Sequence, residues 1–497
     1  MKNNQELCNK KMSFQECELS ILRNAVDLAE HRTGSKIIQS PTIQTIISIV
    51  ENFIRSKKLI PYGGTAINAI LPKEVQFYNT DVELPDYDFY SSNALQDTKD
   101  LCDIYAKAGF AEVEGKPGVH HGTYKVFVNF IPVADITFLH KEIFNELKKE
   151  AIVIDGIYYA PPNFLRMSMF LELSRPSGDT SRWEKVLKRL ILLNKNYPLH
   201  GKNCNMLDFQ RGMENKDTED LVYDTVKNAF IDQGVVFFGG YAMSFYSHYM
   251  PKNLHSKFKR YADFDVLSED SEATVRILKQ RLNDVSIQNV KVVKHTEIGE
   301  IVATHYQIML GKDTVAFVYN PIACHSYNTI KEKGKTIKIA TIDTMMSFYL
   351  AFLYSNREYY DTNRILCMAQ YLYEVQQHNR LKQKGLLRRF SINCYGHQQT
   401  LEEMRAEKAE KFKELKSDRE NPLYEEYFLR YRPGDEVEGK TGKNMKKTRT
   451  STSNNGRLHK VTQKRVHARL HKKHVRFAKV VTSKKARRTR GRGGLFV

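Results

Sequence analysis

The sequence predicts an α+β protein built from two copies of one unit, each a mixed sheet with flanking helices, with helical additions and a disordered basic C-terminal tail. Three observations carry this expectation. Apolar residues alternate along the body between helical and strand spacing. One order of motifs occurs twice. The composition changes after "RYRPGDE".

Residues 1–58 read as a helical segment, because "LSILRNAVDLAEHR" and "PTIQTIISIVENFIRSKK" carry apolar residues at helical spacing. The first unit is placed at 59–200. "LIPYGG" is a short strand entering a Gly turn, "TAINAIL" a helix and "DYDFYSS" a strand. An amphipathic helix, "DTKDLCDIYAKAGF", follows, then a strand pair rich in β-branched and aromatic residues, "TYKVFVNFIPVADITFL". Two helices, "PNFLRMSMFLELSR" and "RWEKVLKRLILLNKNYPL", close the unit.

The second unit, 201–432, repeats the order. "GVVFFGGYAMSFYSHYM" is strand, Gly-Gly turn and helix, and "YADFDVLSED" is a strand with Asp-x-Asp. "SEATVRILKQRLND" is a helix, "HYQIMLGKDTVAFVYNP" a strand pair, and "ATIDTMMSFYLAFLYS" matches "APPNFLRMSMFLELSR". Gly63 to Asp86 spans 23 residues and Gly239 to Asp263 spans 24. Asp88 to Asp135 spans 47 and Asp265 to Phe317 spans 52. A further charged helix, "LEEMRAEKAEKFKELKSDRE", precedes the tail.

The tail, 433–497, holds 20 Lys or Arg against 3 acids, a net of +17. The chain as a whole carries +20, so the body is close to neutral. Such an arm suits a polyanion and is too poor in large apolar residues to fold unaided. No apolar run approaches the length that spans a bilayer, and the polar start "MKNNQELCNKKMSFQE" is unlike a signal peptide. A soluble intracellular protein is expected. The seven cysteines show no C-x-x-C and no zinc-ligand spacing, so free thiols in a reducing compartment are expected.

On a strand, residues i and i+2 project to one face, which sets Asp86 and Asp88 about 7 Å apart along it. Two like charges so placed call for a counter-ion, and carboxylate oxygens are the hard ligands Mg²⁺ prefers and shares with phosphates. Asp135, in the apolar strand "PVADITF", is the candidate third ligand of a two-metal site. Gly63 and Gly64 let backbone amides approach phosphate oxygens, and the helix starting near Thr65 adds its positive end and a hydroxyl.

At these residues the chain resembles the nucleotidyltransferases related to DNA polymerase β: a Gly-Gly turn, Asp-x-Asp, then a separate Asp. More closely, "YGGTAINAILP", "PDYDFYS" and "MSMFLELSRPSGDTSRWEKVLKRLILLN" resemble the poly(A) polymerase catalytic subunits of poxviruses, asfarviruses and giant viruses, over most of 35–360. The resemblance implies tandem nucleotidyltransferase-like domains, one of them active. It implies template-independent addition of adenylates from ATP to an RNA 3′ end, with two Mg²⁺ or Mn²⁺ ions held by Asp86, Asp88 and Asp135. The setting it implies is the virion and host cytoplasm, with a homodimer or a viral processivity subunit as possible company and no membrane. Phe317 stands where the first unit has Asp135, so the second copy reads as degenerate.

Arg175, Arg182, Lys185 and Lys188 lie on or beside one helix; Arg182 and Lys185 are taken as nucleotide contacts, and the single Trp183 as packing or base stacking. His120 and His121 adjoin a glycine and read as a turn. In the tail, Lys472, Lys473, Arg476, Lys484, Lys485, Arg487, Arg488 and Arg490 are taken as RNA contacts. Competing readings are another template-independent RNA nucleotidyltransferase and a non-catalytic RNA-binding protein on a retired nucleotidyltransferase fold.

Overall fold

The computed structural model describes residues 8, 12–79, 81, 83–251 and 258–434 of the 497-residue chain. The Ser40 hydroxyl accepts from the Ile43 amide and Pro41 occupies the first turn, so the apolar run behind them winds into the helix Pro41–Lys57. Its buried Ile43, Ile46, Val50, Phe53 and Ile54 recur at helical spacing, and Phe53 meets Phe89 of the first sheet.

That sheet has five strands in the order β1 (Ile60–Pro61), β2 (Tyr87–Ser91), β5 (Ile131–Phe138), β4 (Thr123–Val128), β3 (Val113–Pro117). β2 and β5 are parallel, and the remaining neighbours are antiparallel. Parallel neighbours need a crossover, and the helix Ala94–Lys107 supplies it. Along β2, Tyr87, Phe89 and Ser91 are buried while Asp88 and Tyr90 face the other way, half-buried. A two-stranded hairpin, β6 (Ile152–Ile154) with β7 (Ile157–Tyr159), follows.

The second sheet has eight strands: β10 (Val290–His295), β11 (His305–Leu310), β12 (Asp313–Tyr319), β9 (Phe264–Leu267), β8 (Val236–Phe237), β14 (Lys335–Ala340), β13 (His325–Glu332), β15 (Cys394–Tyr395). Its first five strands repeat the first sheet. β8-β9-β12-β11-β10 has the order of β1-β2-β5-β4-β3, with the same single parallel pair in the same place. The doubled motif order is therefore also a doubled topology.

The two matching helices, Pro162–Leu173 and Ile342–Phe352, pack on each other, with Phe164 edge-on to Tyr354 at 5.3 Å. The Ser326 amide of the second sheet donates to the Ser174 carbonyl at 2.8 Å. The two sheets share one hydrophobic core inside the compact unit Met1–Asp435. The charged helix Leu401–Leu415 begins with a capping box of Thr400 and Glu403. Beyond it, Tyr431 exchanges backbone hydrogen bonds of 2.8 and 2.9 Å with Gly115, so the chain returns to the edge of the first sheet.

The expectation of free thiols is corrected. Cys8–Cys17, Cys204–Cys367 and Cys324–Cys394 are disulfide-bonded, and Cys102 alone is a free, buried thiol. Two of the pairs are 163 and 70 residues apart, a closeness that only the fold creates and that local spacing does not encode. Among the described residues, no helix is long and apolar enough to cross a membrane.

Candidate active site

The Gly-Gly turn sits directly on the carboxylates. The Tyr62 amide donates to the Asp88 carbonyl at 2.9 Å, and Gly63 then takes a left-handed φ of +69° at the start of the helix Gly63–Ile70. A Cβ at Gly63 would stand 3.1 Å from Asp88 Oδ2. A Cβ at Gly64 would stand 2.6 Å from Tyr78 Oη and 2.8 Å from Arg189 Nη2. Gly63 therefore requires glycine for its φ, whereas a Cβ at Gly64 would press on the ends of two side chains. Thr65 Oγ1 donates to the Asp86 carbonyl at 2.6 Å, so this hydroxyl ties the turn to the Asp-x-Asp segment.

Asp88 and Asp135 are direct partners in the parallel register of β2 and β5. Asp86 lies one residue before β2 and is exposed. All three carboxylates feel one another. Burial, then Asp86 and Asp135, pushes Asp88 up to about 7 against the opposing pull of Lys125 and Arg182. Partial loss of hydration among the site's other groups, and then Asp135, also raise Asp86, with Lys125 and Lys185 opposing. Lys125, across from Asp135 on β4, is ion-paired with its carboxylate.

A surplus of carboxylates over fixed cations is the donor chemistry that divalent ions take. The residues fit such ions in kind. Among the described residues, no group of three or more His, Cys, Asp or Glu side chains is already drawn together to hold one. Lys125 engages only Oδ2 of the Asp135 carboxylate.

The helix Trp183–Asn196 lies over this site. Arg182, at its start, pairs with Glu172 at 3.1 Å and is within electrostatic reach of Asp88, and Lys185 is within reach of Asp86. Lys188 pairs with Glu184 on an exposed face. Trp183 donates Nε1–H to the Glu172 carbonyl at 3.0 Å and packs 5.6 Å from Phe390, which makes it a packing residue. Two residues escaped sequence reasoning. Arg189 stacks on Phe77 at 5.0 Å, donates to Tyr78 Oη at 2.6 Å and lies against Gly64. It stands one helical turn beyond Lys185, and that spacing was the available signal. Lys125 sits in "TYKVFV" with no local mark; only strand pairing puts it opposite Asp135. The eight basic tail residues from Lys472 to Arg490 lie outside the described residues.

The second sheet holds the corresponding position in altered form. Asp265 is the parallel partner of Phe317, as Asp88 is of Asp135, and Gln307 stands opposite Phe317 where Lys125 stands opposite Asp135. Arg211 Nε donates to Asp263 Oδ1 at 2.6 Å, its backbone amide to Asp263 Oδ2 at 3.1 Å, and Nη2 to Asp265 Oδ1 at 3.1 Å. The guanidinium also lies 4.8 Å from the Phe317 ring centroid. A fixed side-chain cation thus occupies the place between the second pair of aspartates.

In one copy of this doubled topology an Asp-x-Asp and a third Asp stand beside a Gly-Gly turn, the class of arrangement that the sequence predicts. The comparisons with known proteins make the class more particular. Residues 48–179 match the family "Poly(A) polymerase catalytic subunit". A protein of Acanthamoeba polyphaga mimivirus, named as a poly(A) polymerase catalytic subunit, is 36% identical over 174 residues, 33% of this chain and 29% of the relative. One from African swine fever virus (strain Badajoz 1971 Vero-adapted), named likewise, is 28% identical over 188 residues, 36% of this chain and 39% of the relative. The matched part thus spans roughly a third of the length of these curated relatives. The crystal structure of the Megavirus polyadenylate synthase has the same fold, with a TM-score of 0.69 at 22% identity, covering 83% of this chain and 86% of that one. The resemblance to viral poly(A) polymerase catalytic subunits holds, and the matched segment contains all three acids, the Gly-Gly turn and Lys125.

Proposed function

We propose that the chain is a template-independent RNA adenylyltransferase that extends RNA 3′ ends with AMP from ATP. The single observation that carries this is the register of Asp88 with Asp135 beside the Gly63–Gly64 turn, inside the segment that matches the polymerase family. The RNA 3′ oxygen attacks the α-phosphorus; the bond to the β,γ-pyrophosphate breaks, and pyrophosphate leaves. Asp86, Asp88 and Asp135 would hold two divalent ions, Mg²⁺ or Mn²⁺, which supply neutralisation of the phosphates and a lowered proton affinity of the attacking hydroxyl. The Gly63 and Gly64 amides seat the phosphates, and Arg182 and Lys185 balance charge that builds on the leaving group. Thr65 keeps that seat in register with Asp86 through its bond to the Asp86 carbonyl. The protein's share is positioning and charge stabilisation.

In this reading the basic tail holds the RNA through sequence-independent phosphate contacts, and deletion of 433–497 weakens RNA affinity and flattens its salt dependence. Virion and host cytoplasm are the setting, with a second copy or a processivity subunit as the partner. The deciding assay is a short RNA primer with each NTP separately, with and without chelator. Long tails from ATP alone, lost on chelation, support the reading; equal use of all four NTPs, or no extension, overturns it.

A further inference from the structure

A basic surface of the folded body takes no part in the proposed catalytic site. Residues 375–401 contain no Asp or Glu and hold Arg380, Lys382, Lys384, Arg388 and Arg389. Arg389 is engaged by the fold, paired with the buried Asp343 at 2.5 Å. The other four are exposed, and among the described residues none of them makes an ion pair.

The loop that carries these cations is held in place. Leu386 and Leu387 are buried, and Asn328 Nδ2 of β13 donates to the Leu386 and Arg388 carbonyls at 3.2 and 2.9 Å. The Arg389 amide donates to Gln383 Oε1 at 3.1 Å. A backbone already fixed leaves only side chains to order when a polyanion binds. The loop also adjoins the catalytic side. Arg389 lies 4.6 Å from the Phe390 ring centroid, Phe390 packs 5.6 Å from Trp183, and the neighbouring Arg182 is within electrostatic reach of Asp88. A groove of about 490 Å³ continues from the loop between the helices Thr362–His378 and Trp183–Asn196. Tyr373, Arg380, Arg389, Leu187, Leu190 and the exposed Ile191 line it.

Unpaired cations at the end of a groove with apolar and aromatic walls are the two parts of a single-strand track: charge for the phosphates, and surface on which bases lie. A run of exposed lysines is often no more than a solvated face, but this run lacks any acid, is fixed, and touches the helix over the carboxylates. We infer that the loop 380–388 and this groove form the track for the single-stranded RNA behind its 3′ end, with Arg380, Lys382, Lys384 and Arg388 on backbone phosphates. That the strand is RNA rests on the adenylyltransferase reading; that the partner is a single-stranded polyanion does not.

The test uses the full chain in chelator and a fluorescent oligoadenylate ending in 3′-deoxyadenosine, with anisotropy read across a salt series. The combined variant Arg380→Gln, Lys382→Gln, Lys384→Gln, Arg388→Gln should flatten the slope of log affinity against log salt by about 2 to 3, since each single-strand phosphate contact carries about 0.7. A matched variant on the β10–β12 side of the second sheet, Arg276→Gln, Lys279→Gln, Lys291→Gln, Lys312→Gln, removes as many exposed cations and should keep the wild-type slope. Ile191→Asp, an exposed change in the groove, should weaken binding severalfold at an unchanged melting temperature. In primer extension the loop variant should raise KM for RNA and leave KM for ATP alone. A wild-type slope in the loop variant, or an equal fall in the matched variant, overturns the inference; the first result would give the loop to an acidic protein partner instead. Binding needs no extension. A chain that binds RNA through this loop yet adds no nucleotide breaks the enzyme reading and leaves the track standing, and a chain that extends RNA with an unaltered slope does the reverse.

Discussion

The two sheets place an Asp-x-Asp at the same point of the same topology and treat it in opposite ways. In the first, Asp86, Asp88 and Asp135 crowd together with Lys125 as the one directly paired lysine, and the crowding pushes Asp88 up to about 7. In the second, Phe317 removes the third acid, Gln307 removes the opposite lysine, and Arg211 neutralises both aspartates from within. One copy keeps unbalanced negative charge, which the proposed function assigns to divalent cations. The other satisfies its charge with the chain itself, and one of its aspartates has become part of the core: Asp263 is 1% exposed.

The comparison breaks most sharply at the third acid. Asp135→Asn should cut extension by more than about a hundredfold, beyond the usual cost of losing a metal's supporting neighbour. Phe317→Ala should leave the rate per folded molecule unchanged. A primer-extension assay beside RNA binding reads both, and equal losses would remove the distinction between the copies.

Arg211→Ala should act on folding instead. It leaves two enclosed carboxylates facing each other, at a cost of about 3 kcal/mol. Urea unfolding measures this. A loss below about 1 kcal/mol would mean that solvent already screens the trio.

The third prediction concerns pH. With its folded pKa raised, Asp88 supports stability fully below its unfolded value of 3.8, and that support is lost as pH rises through about 7. In the ion-free protein, Asp88→Asn should therefore raise stability at pH 8 by on the order of 1 kcal/mol or more, while abolishing extension. Identical melting curves for the two proteins at pH 8 in chelator would show that the carboxylates are not in mutual strain.

The smallest effect separates the glycines. Gly64→Ala pushes Tyr78 and Arg189, both side-chain ends that can yield, so KM for ATP should rise severalfold with little change in melting temperature. Gly239→Ala sets a Cβ 1.9 Å from Asp265 Oδ2, so the melting temperature should fall while KM for ATP stays put. Reversed outcomes would exchange the roles of the two turns.

The doubling, the strand pairs and the three acids were legible in the chain because each is local or periodic. An i, i+2 pair shares a strand face wherever that strand goes, and a Gly-Gly turn marks a tight approach before its neighbour is known. Phe317 opposite Asp265 was readable for the same reason: two copies of one topology keep their spacing. Arg211 was not readable, because it reaches Asp263 from 52 residues away in a segment without periodicity. Lys125, Arg189 and the disulfides depend on which surfaces the fold brings together. Local pattern decides what an element is and which way its side chains point; long-range packing alone decides which charges end up balanced, and that balance is what distinguishes the two copies.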